Sequence, residues 1–298
     1  MPENVVFKPR DELLTFDEIE RFVRALVPAG VTKLRLTGGE PLIRKDLDIL
    51  IANLASIDGV SDLAMTTNGI LLAEHAKALY DSGLQRLNVS IDGLSEETFQ
   101  QITRRNGLHK VIEGIDAACE LPFRQVRLNA IAVRDLTEAE VLPLAQFAFK
   151  RKLELRFIEF MPLDADGNWE TDQVLSGKEV RRILESEYGP ATSVHRNDPS
   201  QPATDFTFAD AGTVGFINSV TEPFCGSCNR LRITAEGQVR NCLFSTTEWD
   251  ARKLLRSNAE ESEIVQLVRD CIHAKKRGHG IDSDTFERPK RAMYQIGG

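Results

Sequence analysis

The chain has 298 residues, 42% hydrophobic and 28% charged, a composition that suits one large globular domain or two smaller ones. A formal net charge of −8 argues against general electrostatic attraction to nucleic acid or anionic membrane, and no apolar run reaches bilayer length. Met-Pro-Glu-Asn at the start lacks a basic-then-apolar signal, and five cysteines make no disulfide framework, so the sequence reads as a cytoplasmic protein of a reducing compartment.

From residue 15 to about 187, helix and strand patterns alternate. Ile19, Phe22, Val23 and Leu26 form one helical stripe, and Leu47, Leu50, Ile51 and Leu54 the next. Thr15 with Glu18, Thr137 with Glu140 and Ser176 with Glu179 have capping-box spacing, and Gly30 and Gly83 stand where helices end. Strands are expected near 33–37, 61–66, 86–91, 125–133 and 153–159. Such alternation implies a parallel sheet with crossover helices, and five strands fall short of the eight that close a full barrel.

These strands are not continuous apolar runs. Lys33, Arg35 and Thr37 alternate with Leu34 and Leu36, and Arg86, Asn88, Ser90 and Asp92 alternate with Leu87, Val89 and Ile91. Gln125, Arg127 and Asn129 form a third polar set, extended by Thr66 and Arg156. Period two puts each set on one face, so one side of the sheet is expected to pack on helices and the other to line a polar cavity. The strand ends carry Gly38-Gly39-Glu40-Pro41, Thr66-Thr67-Asn68-Gly69 and Ser90-Ile91-Asp92-Gly93, at the end of a parallel sheet where chemistry usually sits.

After residue 160 the rhythm changes. A helix is expected near 178–187 and a mobile polar loop from Tyr188 to Asp205. Short β segments follow over 206–244, then helices near 250–256 and 260–276. Domain boundaries are placed at 1–160 and 161–298. Cys225-Gly226-Ser227-Cys228 and Cys242 fall within eighteen residues and supply three thiolates with no histidine close by. That set suits a metal or cluster with an open position; a zinc ribbon with a distant fourth ligand and a redox Cys-x-x-Cys stay open on spacing alone. Cys119 and Cys271 sit in helical apolar stripes and read as core residues.

Taken together, Arg35-Leu36-Thr37-Gly38-Gly39-Glu40-Pro41, Thr66-Thr67-Asn68-Gly69, Asn88-Val89-Ser90-Ile91-Asp92, Arg156-Phe157-Ile158-Glu159-Phe160-Met161, Phe224-Cys225-x-x-Cys228-x-Arg230-x-Arg232, Cys242-Leu243-Phe244 and the terminal Gly297-Gly298 closely resemble the molybdenum-cofactor biosynthesis protein A family, the radical S-adenosylmethionine GTP 3′,8-cyclases. The resemblance implies a partial (β/α)6 TIM-like barrel of the radical SAM type with a C-terminal α+β extension. It implies a [4Fe–4S] cluster on Cys225, Cys228 and Cys242, with an open iron facing the guanine of GTP. It implies S-adenosylmethionine at Gly39, Glu40, Ser90 and Met161, and GTP at Arg35, Thr66, Arg127, Arg230 and Arg232, with Arg156 lining the cavity. Arg127 stands where the family usually has lysine. Arg230, Arg232, Gly297 and Gly298 are the expected catalytic-site residues. The product would pass to a separate pyranopterin-forming enzyme, a reductant protein would supply electrons, and a homodimer is allowed.

The sequence departs from the family in having no Cys-x-x-x-Cys-x-x-Cys loop, whose cluster reduces S-adenosylmethionine to the 5′-deoxyadenosyl radical. The first barrel strand is expected to be missing as well, so the chain reads as N-terminally truncated. A non-catalytic module that holds a cluster and a guanine nucleotide is one alternative. Another radical enzyme, acting on a peptide or tRNA with an auxiliary cluster, is a second.

Overall fold

The computed structural model describes residues 8–163, 167–195, 198–281, 283 and 286–296. In chain order the elements are α1 (Phe16–Leu26), β1 (Lys33–Leu36), α2 (Leu47–Ala55), β2 (Asp62–Thr67), α3 (Leu72–Asp81), β3 (Arg86–Ser90), α4 (Glu96–Thr103) and α5 (Leu108–Cys119). Then come β4 (Gln125–Ala132), α6 (Val141–Lys150), β5 (Glu154–Glu159), α7 (Gly177–Tyr188), β6 (Thr192–Ser193), β7 (Thr204–Phe208) and β8 (Gly212–Ile217). The last are β9 (Arg232–Ile233), β10 (Gln238–Arg240), β11 (Trp249–Asp250), α8 (Ala251–Leu255) and α9 (Glu261–His273).

Two of the three expected capping boxes form. The Thr15 hydroxyl accepts the Glu18 N–H at 3.1 Å and the Glu18 carboxylate takes the Thr15 N–H at 2.7 Å. Ser176 and Glu179 do the same at the start of α7. Thr137 and Glu140 do not. The Thr137 hydroxyl donates to the Ile131 carbonyl and accepts the Val133 N–H, both at 2.8 Å. Glu140 is buried and takes the N–H groups of Leu94 and Ser95 at 2.7 and 3.2 Å. Tertiary donors outcompete the local cap here, because a buried carboxylate needs them more than an exposed helix start does.

The chain divides into two compact units, neither continuous in sequence: residues to 66 with 77–86 and from 230 onward, and residues 67–76 with 87–229. In the first unit β1 and β2 pair in parallel, Lys33 opposite Asp62 and Leu36 opposite Met65. Arg86 and Asp62 make a two-pronged ion pair, its Nε–Oδ1 arm 2.7 Å long, so Arg86 is committed to a partner. The hairpin β9–β10 carries β11 on its other edge. Phe22, Ala25 and Leu26 of α1 share a core with Val239, Leu255, Ile264, Val268 and Cys271.

In the second unit the strand order is β3-β4-β5-β8-β7-β6. β4, β5 and β8 run parallel, β7 pairs antiparallel with β8, and β6 pairs antiparallel with β7. The parallel role of β8 has no counterpart in the sequence expectations, which place only short β segments there. The segment expected as a loop from Tyr188 to Asp205 contains β6 and the start of β7. Leu128, Ala130, Leu155, Phe157, Val214 and Phe216 are buried with Leu144, Ala148, Val180 and Leu184 of α6 and α7.

The two cysteines expected in cores differ. Cys271 is fully buried in α9, but Cys119 is exposed. The buried face of α5 runs through Leu108, Val111, Ile115 and Ala118, and the helix ends at Cys119 before that face is covered again. Cys271→Ser, which places a hydroxyl in an apolar core, should therefore cost about 1–3 kcal/mol of stability in chemical denaturation. Cys119→Ser should stay within about 0.5 kcal/mol of the parent.

Candidate functional site

The polar face expected from strand alternation is present in the second unit, and its chemistry is more specific than the sequence suggested. Register places Arg127 of β4 opposite Glu154 of β5, and Asn129 opposite Arg156. Glu154 and Arg156 are two apart on one strand and share a face. The Glu154 carboxylate gathers this face: Arg127 Nε lies 2.8 Å from Oε1, Arg156 Nε donates to Oε1 at 2.8 Å, and Gln125 Nε2 donates to Oε2 at 2.7 Å. Arg156 is buried, and Arg127 and Glu154 nearly so. Two guanidinium groups at this depth require an anion, and Glu154 supplies it.

β8 completes the arrangement through a glycine. Gly215 is the register partner of Arg156 on one side and of Asp205 on the other. A Cβ on Gly215 would stand 2.6 Å from Asp205 Oδ1 and 3.1 Å from Arg156 Cγ, so only hydrogen fits. Burial pushes the Asp205 carboxyl up, while the Arg156 charge pulls it down. Glu154 and Asp205 were missed in the sequence reading. Glu154 has a visible signal, its spacing of two from Arg156 on an expected strand; Asp205 has none, because it falls at the end of the expected loop while β7 starts one residue earlier, at Thr204.

At the C-terminal end of β3, Ser90 is half-buried and Asp92 accepts the Ile131 N–H at 2.8 Å, tying the strand end to β4. Desolvation pushes the Asp92 carboxyl up to about 6 against the pull of that hydrogen bond. Met161, half-buried, follows β5. The Thr67 hydroxyl accepts the Gly69 N–H at 3.1 Å, and Asn68 Oδ1 accepts the Ile70 N–H at 3.0 Å, which shapes the Thr-Thr-Asn-Gly turn. Cys225 opens a short 3-10 turn in which the Cys228 N–H reaches the Cys225 carbonyl at 3.2 Å.

The other expected site residues lie in the first unit. Lys33 and Arg35 are exposed on β1, and Thr66 is half-buried on β2. Gly39 is exposed, and buried Glu40 caps the turn Pro41–Ile43 by accepting the Leu42 N–H at 3.0 Å. Arg232 begins β9 opposite Arg240, while exposed Arg230 precedes the strand, its carbonyl accepting from Lys275 Nζ at 3.0 Å. Cys242 lies two residues past β10, in a loop held by Arg240, whose guanidinium donates to the Leu243 carbonyl at 3.3 Å and to the Ser245 carbonyl. All five cysteines are outside disulfides, and Cys225, Cys228 and Cys242 are each partly exposed. Among the described residues no three His, Cys, Asp or Glu side chains converge to hold a single metal ion. Gly297 and Gly298 lie outside the described residues. No described helix is long and apolar enough to cross a membrane.

A family model described as the Radical SAM superfamily matches residues 4–148, and one described as Molybdenum Cofactor Synthesis C matches residues 153–281. The structure of Streptococcus suis SuiB is similar with a TM-score of 0.56 at 16% identity, over 91% of this chain and 62% of that one. The fold class is therefore α/β, a partial β/α barrel of the radical SAM type with a C-terminal α+β extension. A GTP 3′,8-cyclase of Rhodopirellula baltica is 50% identical over the whole chain and 84% of its own length, and one of Pelotomaculum thermopropionicum is 40% identical over the whole chain and 92% of its own. The chain belongs to the GTP 3′,8-cyclase family.

Two outcomes test the polar face. Arg156→Ala strands Glu154 and Asp205 beside one remaining arginine, and should cost about 3–5 kcal/mol in chemical denaturation, the scale of breaking a buried ion pair. The folded chain also binds the Asp92 proton more tightly than the unfolded chain, since its carboxyl lies above the ordinary 3.8. The Asp92 contribution to stability should thus fall as pH rises from 3.8 through about 6, and Asp92→Asn should remove that part of the slope in denaturation curves taken across this window.

Proposed function

We propose that this chain performs the cyclisation of its family, joining ribose C3′ of GTP to C8 of its own guanine, in molybdenum-cofactor synthesis. The observation that carries the reading is the 50% identity to a GTP 3′,8-cyclase across the whole chain. Cys225, Cys228 and Cys242 would hold a [4Fe–4S] cluster. Their chemistry fits it: three partly exposed thiols outside disulfides, with the first two on one tight turn. Gly39, Glu40, Ser90 and Met161 would hold S-adenosylmethionine. S-adenosylmethionine would supply the radical chemistry that removes a ribose hydrogen, but its reduction calls for a cluster on a Cys-x-x-x-Cys-x-x-Cys loop that this sequence does not contain.

The protein's own part is to bind, orient and exclude. Arg35, Thr66 and Arg127 would contact GTP, with Arg156 lining the cavity. Arg230 and Arg232 would clamp its anionic end, a task suited to fixed guanidinium charges in a chain of net charge −8. Glu154 keeps Arg127 and Arg156 oriented before substrate arrives, so that less ordering is needed on binding. Gly297 and Gly298, outside the described residues, are the remaining residues that the family resemblance assigns to the catalytic site. A reductant protein and the pyranopterin-forming enzyme are the expected partners, and a homodimer is compatible with this reading.

In anaerobically reconstituted protein, replacing Cys225, Cys228 or Cys242 by Ala should remove about four irons per chain, the content of one cluster, whereas Cys119→Ala and Cys271→Ala should remove none. Arg230→Ala and Arg232→Ala should each weaken GTP binding by about 1.5–3 kcal/mol in calorimetry, with a smaller loss for guanosine, which offers no polyanion. Unchanged iron in the first three variants, or equal losses for GTP and guanosine, would count against the assignments.

A further inference from the structure

We propose that Glu159 is a positioning residue that fixes the Cys225–Cys228 turn, and through it the cluster those thiols would hold. The inference rests on the cluster reading above. Glu159 ends β5, one residue past Ile158, which is the register partner of Ile217 at the end of β8. As the chain leaves β8 it passes over the Glu159 carboxylate. That residue is 2% exposed, and among the described residues no ion pair reaches it.

Backbone and hydroxyl donors satisfy it instead. Oε2 accepts the N–H groups of Val220 and Thr221, both at 2.8 Å. Oε1 accepts the Thr221 hydroxyl at 2.5 Å and lies 3.4 Å from the Gly177 N–H at the start of α7. The helix start also favours an anion electrostatically. Position 177 takes glycine for its contact with the end of β8, because a Cβ there would meet Asn218 Oδ1 at 2.1 Å and Phe216 Cβ at 3.0 Å. Hydrogen bonds to an ionised acceptor are roughly twice as strong as neutral ones, so this carboxylate holds its donors firmly.

Three of the four donors belong to the segment running into the cysteine turn. Thr221 is separated from Phe224 and Cys225 only by Glu222 and Pro223. The Glu222 N–H returns to the Asn218 carbonyl at 3.3 Å, and Pro223 has a fixed φ and no N–H to offer another partner. The link is short and stiff, so moving Thr221 moves Cys225. Glu140 uses the same device on a different loop, holding Leu94 and Ser95 after β3. It therefore serves as a control for the general cost of losing a buried carboxylate anchor.

The test compares Glu159→Gln, Glu159→Ala, Glu140→Gln and Cys225→Ala with the parent, all reconstituted anaerobically. Iron release to a chelator and hydrogen exchange at Val220 and Thr221 are measured on the same samples. Both Glu159 variants should exchange faster at those amides and lose iron about tenfold faster than the parent, while Glu140→Gln should stay within about twofold. Glu159→Gln keeps the shape of the side chain and so reports even where the alanine variant fails to fold. Iron retention like the parent's despite faster exchange at Val220 and Thr221, or equal iron loss from Glu140→Gln, would overturn the proposal. A parent that binds no iron, or a Cys225→Ala variant that binds as much as the parent, would overturn the cluster reading and this inference with it.

Discussion

One carboxylate makes the inner face of the second unit possible. Glu154 stands between Arg127 and Arg156, and without it two guanidinium charges would share a poorly solvated face with nothing to balance them. The cost of burying a lone charge is several kcal/mol, more than neighbouring apolar packing would readily offset. With Glu154 in place both arginines become fixed positive groups in preset orientations. Gly215 then lets Asp205 approach Arg156 from the other side, which keeps the local charge close to neutral.

The same economy of buried charge shapes the loops. Glu140 holds the turn after β3, and Glu159 the segment after β8. In the first unit the sign is reversed: the guanidinium of buried Arg240 holds the carbonyls of Leu243 and Ser245 beside Cys242, while Glu248 balances its charge. Loops cannot bury enough apolar surface to hold themselves still, so an ionised side chain with several backbone partners is an effective substitute. The segment that leads toward Cys225 and the loop that carries Cys242 are thus each held by a buried charge.

Where expectation and structure parted, either a tertiary partner had outcompeted a local one or the element had ended. Thr137 and Glu140 have the spacing of a capping box, but each finds better partners in neighbouring strands and loops. Cys119 follows a helical apolar stripe, yet the stripe runs out at the helix end. Local pattern carries no information about what lies across a loop or beyond the last turn, which is why both expectations failed.

Much was legible from the residues alone. Strand–helix alternation, the polar sets at Arg127, Asn129 and Arg156, the glycine-rich strand ends and the clustered cysteines all follow from chain-local periods and spacings, because side-chain direction in a strand or helix repeats with sequence. The family itself came from the resemblance of the motifs at those positions to known members, not from the periods or spacings. The sequence could not say that Glu154 would bridge two arginines, that β8 would join the parallel strands beside β5, or that Glu159 would seize the approach to Cys225. Each depends on register between strands far apart in sequence, and register is set only when the core packs and decides which residues face one another.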